Sequence, residues 1–102
     1  MAISLQVVYP VSETSTFDHD YYLANHMPLV EKHMGAHIAS QVVTRGQSGP
    51  GDTPTPFHAI ATFTFAGQDA LDAALGAAGP VLDDIPKFTN VQPQMMIGEV
   101  LG

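Results

Sequence analysis

The chain has 102 residues, no cysteine and a formal charge of −7, with Lys32, Arg45 and Lys87 as its only fixed cations. That length makes one domain, taken over residues 1–102, and a 45 % apolar content is enough for a packed core. The charge speaks against nucleic acid and against anionic membrane surfaces, and the missing thiols exclude disulfides, zinc–thiolate sites and cysteine catalysis. The opening MAISLQVVYP lacks the cationic region and long apolar run of a secretory signal, and no stretch is long enough to span a membrane. A cytoplasmic protein that handles a small molecule or another protein is the expectation.

Residues 2–9 alternate Ile3, Leu5, Val7 and Tyr9 against Ser4, Gln6 and Val8, which predicts a strand ended by Pro10. VSETST supplies turn residues, and Asp18 is placed to cap a helix whose first turn holds Asp20. Tyr22, His26, Leu29 (or Val30) and His33 recur at helical spacing. Pro28 lies inside that pattern and would leave the Ala24 carbonyl unpaired, bending the helix near Asn25–His26 before Gly35 caps its end. Residues 36–45 predict a second strand, followed by the loop GQSGPGDTPTP. From Phe57 to Phe65 the pattern again has period two, with Phe57, Ala59, Ala61, Phe63 and Phe65 on one face and His58, Ile60, Thr62 and Thr64 on the other. A second helix is predicted over 68–78 around Leu71, Ala74 and Leu75. Gly79–Pro80 breaks it, VLDDI adds a turn, and Pro86 closes the segment. A last strand is predicted over 94–101, with Met95, Ile97 and Leu101 on one face.

The order β-α-β-β-α-β is the ferredoxin-like plan: an α+β fold with both helices on one face of a four-stranded antiparallel sheet. The other face would carry Ser4, Gln6, Val8, His58, Ile60, Thr62 and Thr64, none of them charged. A solvated sheet face normally carries charge, so a second copy of the chain is expected to cover it, giving a homodimer.

His26 interrupts an otherwise apolar helical stripe. An unpaired buried imidazole costs about 1–3 kcal/mol, so the position needs either a chemical role or a structural one, such as holding the kink at Pro28. No metal site is expected from the five histidines: Gly35 separates His33 from His37, His19 and His26 share a stripe without a carboxylate to complete a triad, and no H-E-x-x-H pattern is present. No G-x-S-x-G serine and no nucleotide-binding G-x-G-x-x-G occurs either, and no cofactor is expected. Arg45, the single arginine, either holds an acidic group at a pocket mouth or offsets the acidic surface.

Tyr9–Pro10, followed by Phe17, Asp18, Tyr21, Tyr22, His26, Met27, Pro28, Leu29 and Val30, resembles the motif of the EthD-like family of dimeric α+β barrel proteins. The later DDIPKFTNVQPQMMIGEVL is similar to that family's closing helix and last strand. The resemblance implies subunits paired through their sheets and a pocket between the helices and the sheet of each. It also implies that His26 projects toward that sheet. There Ala59 and Ala61, flanked by Phe57 and Phe63, would leave an apolar slot for a flat ring bounded by Tyr9 and Tyr22. In such a slot His26 would act as a general acid/base on a small apolar, aromatic or polyketide-like compound. The proton transfer would serve an isomerisation, dehydration, decarboxylation or cofactor-free oxidation. A carrier that binds without catalysis, and an accessory subunit of an oxidation system, are the alternatives.

Overall fold

A computed structural model describes residues 1–102. Strand β1 (Ile3–Pro10) lies at the centre of the sheet beside β3 (Phe57–Phe65), with β2 (Ser40–Arg45) and β4 (Gln94–Glu99) at the edges, in the order β2-β3-β1-β4. Every neighbouring pair is antiparallel. Both β-α-β units cross over the same side, so the helices α1 (His19–Tyr21), α2 (Met27–Met34), α3 (Gln68–Gly76) and α4 (Gly79–Asp84) cover one face. This is the ferredoxin-like α+β fold.

The core lies between sheet and helices. Leu5, Val7, Tyr9, Ala61, Phe63 and Phe65 supply its floor, and Val30, Met34, Leu71, Ala74 and Val81 its roof. Beyond their first residues the two central strands alternate buried and half-buried residues, as the period-two pattern requires.

Three boundaries and one register differ from the sequence expectation. Residues Gly35–His37 continue the first helical segment as a tight 3-10 turn, so β2 starts at Ser40. The second helix stops at Gly76, and Gly79–Pro80 starts α4 because proline is favoured at a helix's first positions. Strand β4 ends at Glu99, leaving Leu101 exposed beyond it. The third strand does not alternate cleanly at its start, where Tyr9 pairs with Ala59 but Pro10 pairs with Phe57. His58 is the extra residue of a bulge, and a bulge re-aims the side chains on either side of it. His58 consequently stacks on Phe17, with ring centres 5.5 Å apart, while its Nε2 lies 2.8 Å from the Ser15 hydroxyl.

Candidate active site

The Asp18 carboxylate caps α1 by accepting from the Tyr21 N–H at 3.0 Å. A single wide π-turn, Tyr22–His26, joins α1 to α2. In it the Met27 N–H donates to the Tyr22 carbonyl. The wide turn directly precedes Pro28, which has no N–H to return to the turn before it, and such a turn is how a helix absorbs that interruption. The expected bend therefore takes the form of a π-turn, and His26 closes it.

His26 does not cap a carbonyl freed by Pro28. Its Nδ1 lies 3.0 Å from Asp84 Oδ2, and both side chains are 4 % exposed. The Tyr21 hydroxyl donates to the other carboxylate oxygen at 2.8 Å. Lys87 Nζ stands 3.9 Å from that same oxygen but is itself largely exposed. Two aromatic rings hold the imidazole: Tyr22 lies nearly parallel to it at 5.5 Å, and Phe88 approaches to 4.6 Å.

Backbone and side-chain ties bring α1 against the segment after α4, which sets this geometry. The Asp18 N–H donates to the Phe88 carbonyl at 2.7 Å, and Phe17 and Thr89 form an isolated antiparallel bridge. Thr89 Oγ1 donates to the Thr16 carbonyl at 2.6 Å, and Asn90 bonds both Thr14 and Thr16. Two helical segments far apart in sequence thus meet at one histidine and one carboxylate.

Between sheet and helices lies a cavity of about 260 Å³, lined by Leu5, Val7, Ala61 and Phe63 below and by Val30, Met34, Ala78 and Val81 above. Tyr9, Tyr22 and His26 also line it, and the half-exposed Leu75, Leu82 and Met95 form its rim. No buried side-chain nitrogen or oxygen is sealed away without a partner. His26 Nε2 and the Tyr9 and Tyr22 hydroxyls make no hydrogen bond within the protein, and all three residues line the cavity.

Electrostatics follow from burial. Desolvation pulls the His26 pKa below its ordinary value, more than the hydrogen bond and charge of Asp84 raise it. A lowered pKa favours the neutral imidazole at pH 7, and the Asp84 oxygen 3.0 Å from Nδ1 favours the tautomer with the proton there. Nε2 is then left with a free lone pair. Burial pushes the Tyr22 phenol up to about 12 and raises Tyr9 further, with the Tyr22 phenol adding to the effect, so both hydroxyls remain donors.

Tyr9, Tyr22, His26 and Ala61 meet at this cavity. Phe57 and Ala59 do not line it. The bulge at His58 shifts Phe57 out of the regular register, whereas Ala59 keeps its place opposite Tyr9 on the buried face; both border a separate hollow against the loop, with Thr44, Pro50 and Thr55. Asp84 and Tyr21 were not among the sequence candidates. Asp84 was nevertheless legible by the argument that singled out His26, because it interrupts the apolar stripe of Val81 and Phe88 at three- and four-residue spacings. No three His, Asp or Glu side chains converge in a way that could hold a metal ion.

The EthD domain family matches residues 12–92. The chain belongs to the EthD family. Among solved structures, an EthD-like protein from Ralstonia eutropha JMP134 is 33 % identical with a TM-score of 0.88, over 99 % of this chain and 93 % of that one. An EthD family protein from Bacillus halodurans C-125 is 23 % identical with a TM-score of 0.77, over 99 % of this chain and all of that one (100 %). More distantly, a DABB family protein of ferredoxin-like fold from Mesorhizobium loti MAFF303099 shares 17 % identity and a TM-score of 0.63, over 99 % of this chain and 98 % of that one. No curated protein matches the sequence. No helix of this EthD chain is long and apolar enough to cross a membrane.

Proposed function

We propose that this EthD protein is an enzyme that binds a small apolar molecule between helices and sheet and moves one of its protons through His26. The observation that carries the reading is the pairing of His26 Nδ1 with buried Asp84 on a residue that lines the cavity and whose Nε2 has no partner in the protein. A carrier can use an imidazole nitrogen only as a hydrogen-bond acceptor, whereas a general base requires one held unprotonated and oriented, and the Asp84 contact orients this ring.

In the reaction so envisaged, an activated C–H or O–H of the ligand gives its proton to Nε2. The bond's electron pair stays on the ligand as an enolate or phenolate. The Tyr9 and Tyr22 hydroxyls can donate to that developing oxyanion, a form of stabilisation worth most where water is excluded. Asp84 offsets the imidazolium charge, and Tyr21 holds Asp84 in position. Return of the proton from Nε2 to a different atom completes an isomerisation and leaves the enzyme unchanged.

We also propose that the working unit is a homodimer joined through the outer sheet face. That face carries Ser4, Gln6, Val8, Val42, Thr62 and Met96 in facing register, and no Lys, Arg, Asp or Glu. A cytoplasmic location is the simplest setting for the whole account.

The test is hydrogen–deuterium exchange. A panel of weakly acidic cyclic ketones is incubated with the protein in D₂O and followed by proton NMR. The reading expects exchange at the activated carbon with wild type and its loss with His26→Ala. Binding without exchange across the panel favours the carrier.

A further inference from the structure

The cavity's walls say more about the ligand than its base does. We infer that the molecule is uncharged at neutral pH, of about two fused rings, and polar at one end only. This inference rests on the proton-transfer reading of the same site and names its substrate class.

Size comes first. An apolar protein cavity of about 150 Å³ accommodates a single benzene ring. The 260 Å³ here has room for a second ring but not comfortably a third. The space cannot grow easily on the sheet side, where Phe63 and Leu5 are held in the sealed core at 4 % and 3 % exposure.

Charge comes next. None of the lining residues is Lys, Arg, Asp or Glu. Lys87, the one cation near the site, is 68 % exposed, stands 3.9 Å from Asp84 and does not line the cavity. A carboxylate or phosphate drawn inside would lose its water and find no cation, while Asp84 repelled it from beside the imidazole. An ammonium would fare little better, since the Asp84 oxygens are already bonded to His26 and Tyr21.

The polar lining residues are neighbours. The ring centres of Tyr9 and Tyr22 lie 5.9 Å apart, and those of Tyr22 and His26 5.5 Å apart. Elsewhere the wall is Val30, Met34, Phe63, Leu75 and Ala78, which offer no hydrogen bond. The ligand's oxygen must therefore sit among His26, Tyr9 and Tyr22, and the rest of it must be hydrocarbon. The rim agrees, since Leu75, Leu82 and Met95 admit an apolar body and Met95 can shift to let it pass.

Equilibrium dialysis against phenol, 2-naphthol, 2-naphthoate and 9-phenanthrol tests this directly. The expected result is that 2-naphthol binds at least about tenfold more tightly than each of the others. Ala61→Leu, which narrows the cavity floor, should reverse the order of 2-naphthol and phenol. If that variant does not fold, Leu82→Phe at the exposed rim replaces it and should weaken 2-naphthol more than phenol. Equal or tighter binding of 2-naphthoate or 9-phenanthrol overturns the inference, and so does failure of all four to bind at millimolar concentration. Deuterium exchange reports separately. Exchange without this selectivity removes only the ligand class, whereas selectivity without exchange removes only the catalysis.

Discussion

His26 Nδ1 and Asp84 Oδ2, 3.0 Å apart and almost wholly buried, join two helical segments separated by 58 positions in the chain. Removing either partner strands a polar group in the core, whereas removing both strands only Tyr21's hydroxyl at its edge. A double-mutant cycle with His26→Leu and Asp84→Leu, read by urea denaturation, should therefore return a favourable coupling of about 1–3 kcal/mol. Additive effects would mean that the contact contributes nothing.

Stability should fall on mild acidification. The folded state holds the His26 pKa below its unfolded value of about 6.5, so the unfolded chain takes up protons first as pH drops. The stabilising contribution is complete above about pH 6.5 and is lost as pH falls toward the folded value. His19, also lowered by burial and by the nearby Arg45 and His58 charges, adds in the same direction. Melting temperature should decline from pH 7.5 to pH 5.5, and less steeply in His26→Leu than in wild type.

Tyr21→Phe should act on His26 without touching it. The Tyr21 hydroxyl donates to Asp84 and so spreads the carboxylate's charge between two partners. Its loss should cost about 0.5–1.5 kcal/mol in denaturation experiments. The His26 pKa, followed by NMR, should move upward, because Asp84 then serves the imidazole alone. An unchanged titration would mean that Tyr21 is only a packing residue.

A charge placed on the outer sheet face should separate the proposed dimer. Thr62 lies at the centre of that face, opposite Gln6 and Val42. Wild type should sediment as a dimer at micromolar concentration, and Thr62→Glu should sediment as a monomer with its helical circular dichroism retained. A monomeric wild type would contradict the proposal.

Much of this fold could be read in the sequence because the central strands carry their own period and the first helix its own cap. Asp18 and the alternation from Ile3 to Tyr9 are local signals, and they are followed locally in the structure. The site was legible in part. His26 stood out as a polar residue in an apolar stripe, but its partner depended on two helices meeting through Phe17, Thr89 and Asn90, a tertiary event. The placement of Phe57 away from the cavity depends on a similar event. A bulge is one unpaired residue, and His58 looks like any other member of an alternating strand until its partner strand is known.

The account turns on an unprotonated His26 Nε2 free to meet the ligand. Long-range ¹H–¹⁵N NMR of the histidine rings near pH 7.5, with His26 assigned by His26→Gln, reads that state directly. The account predicts a neutral ring with the proton on Nδ1 and a bare Nε2 whose shift moves when 2-naphthol is added. A proton on Nε2, or a cationic ring at that pH, would contradict it.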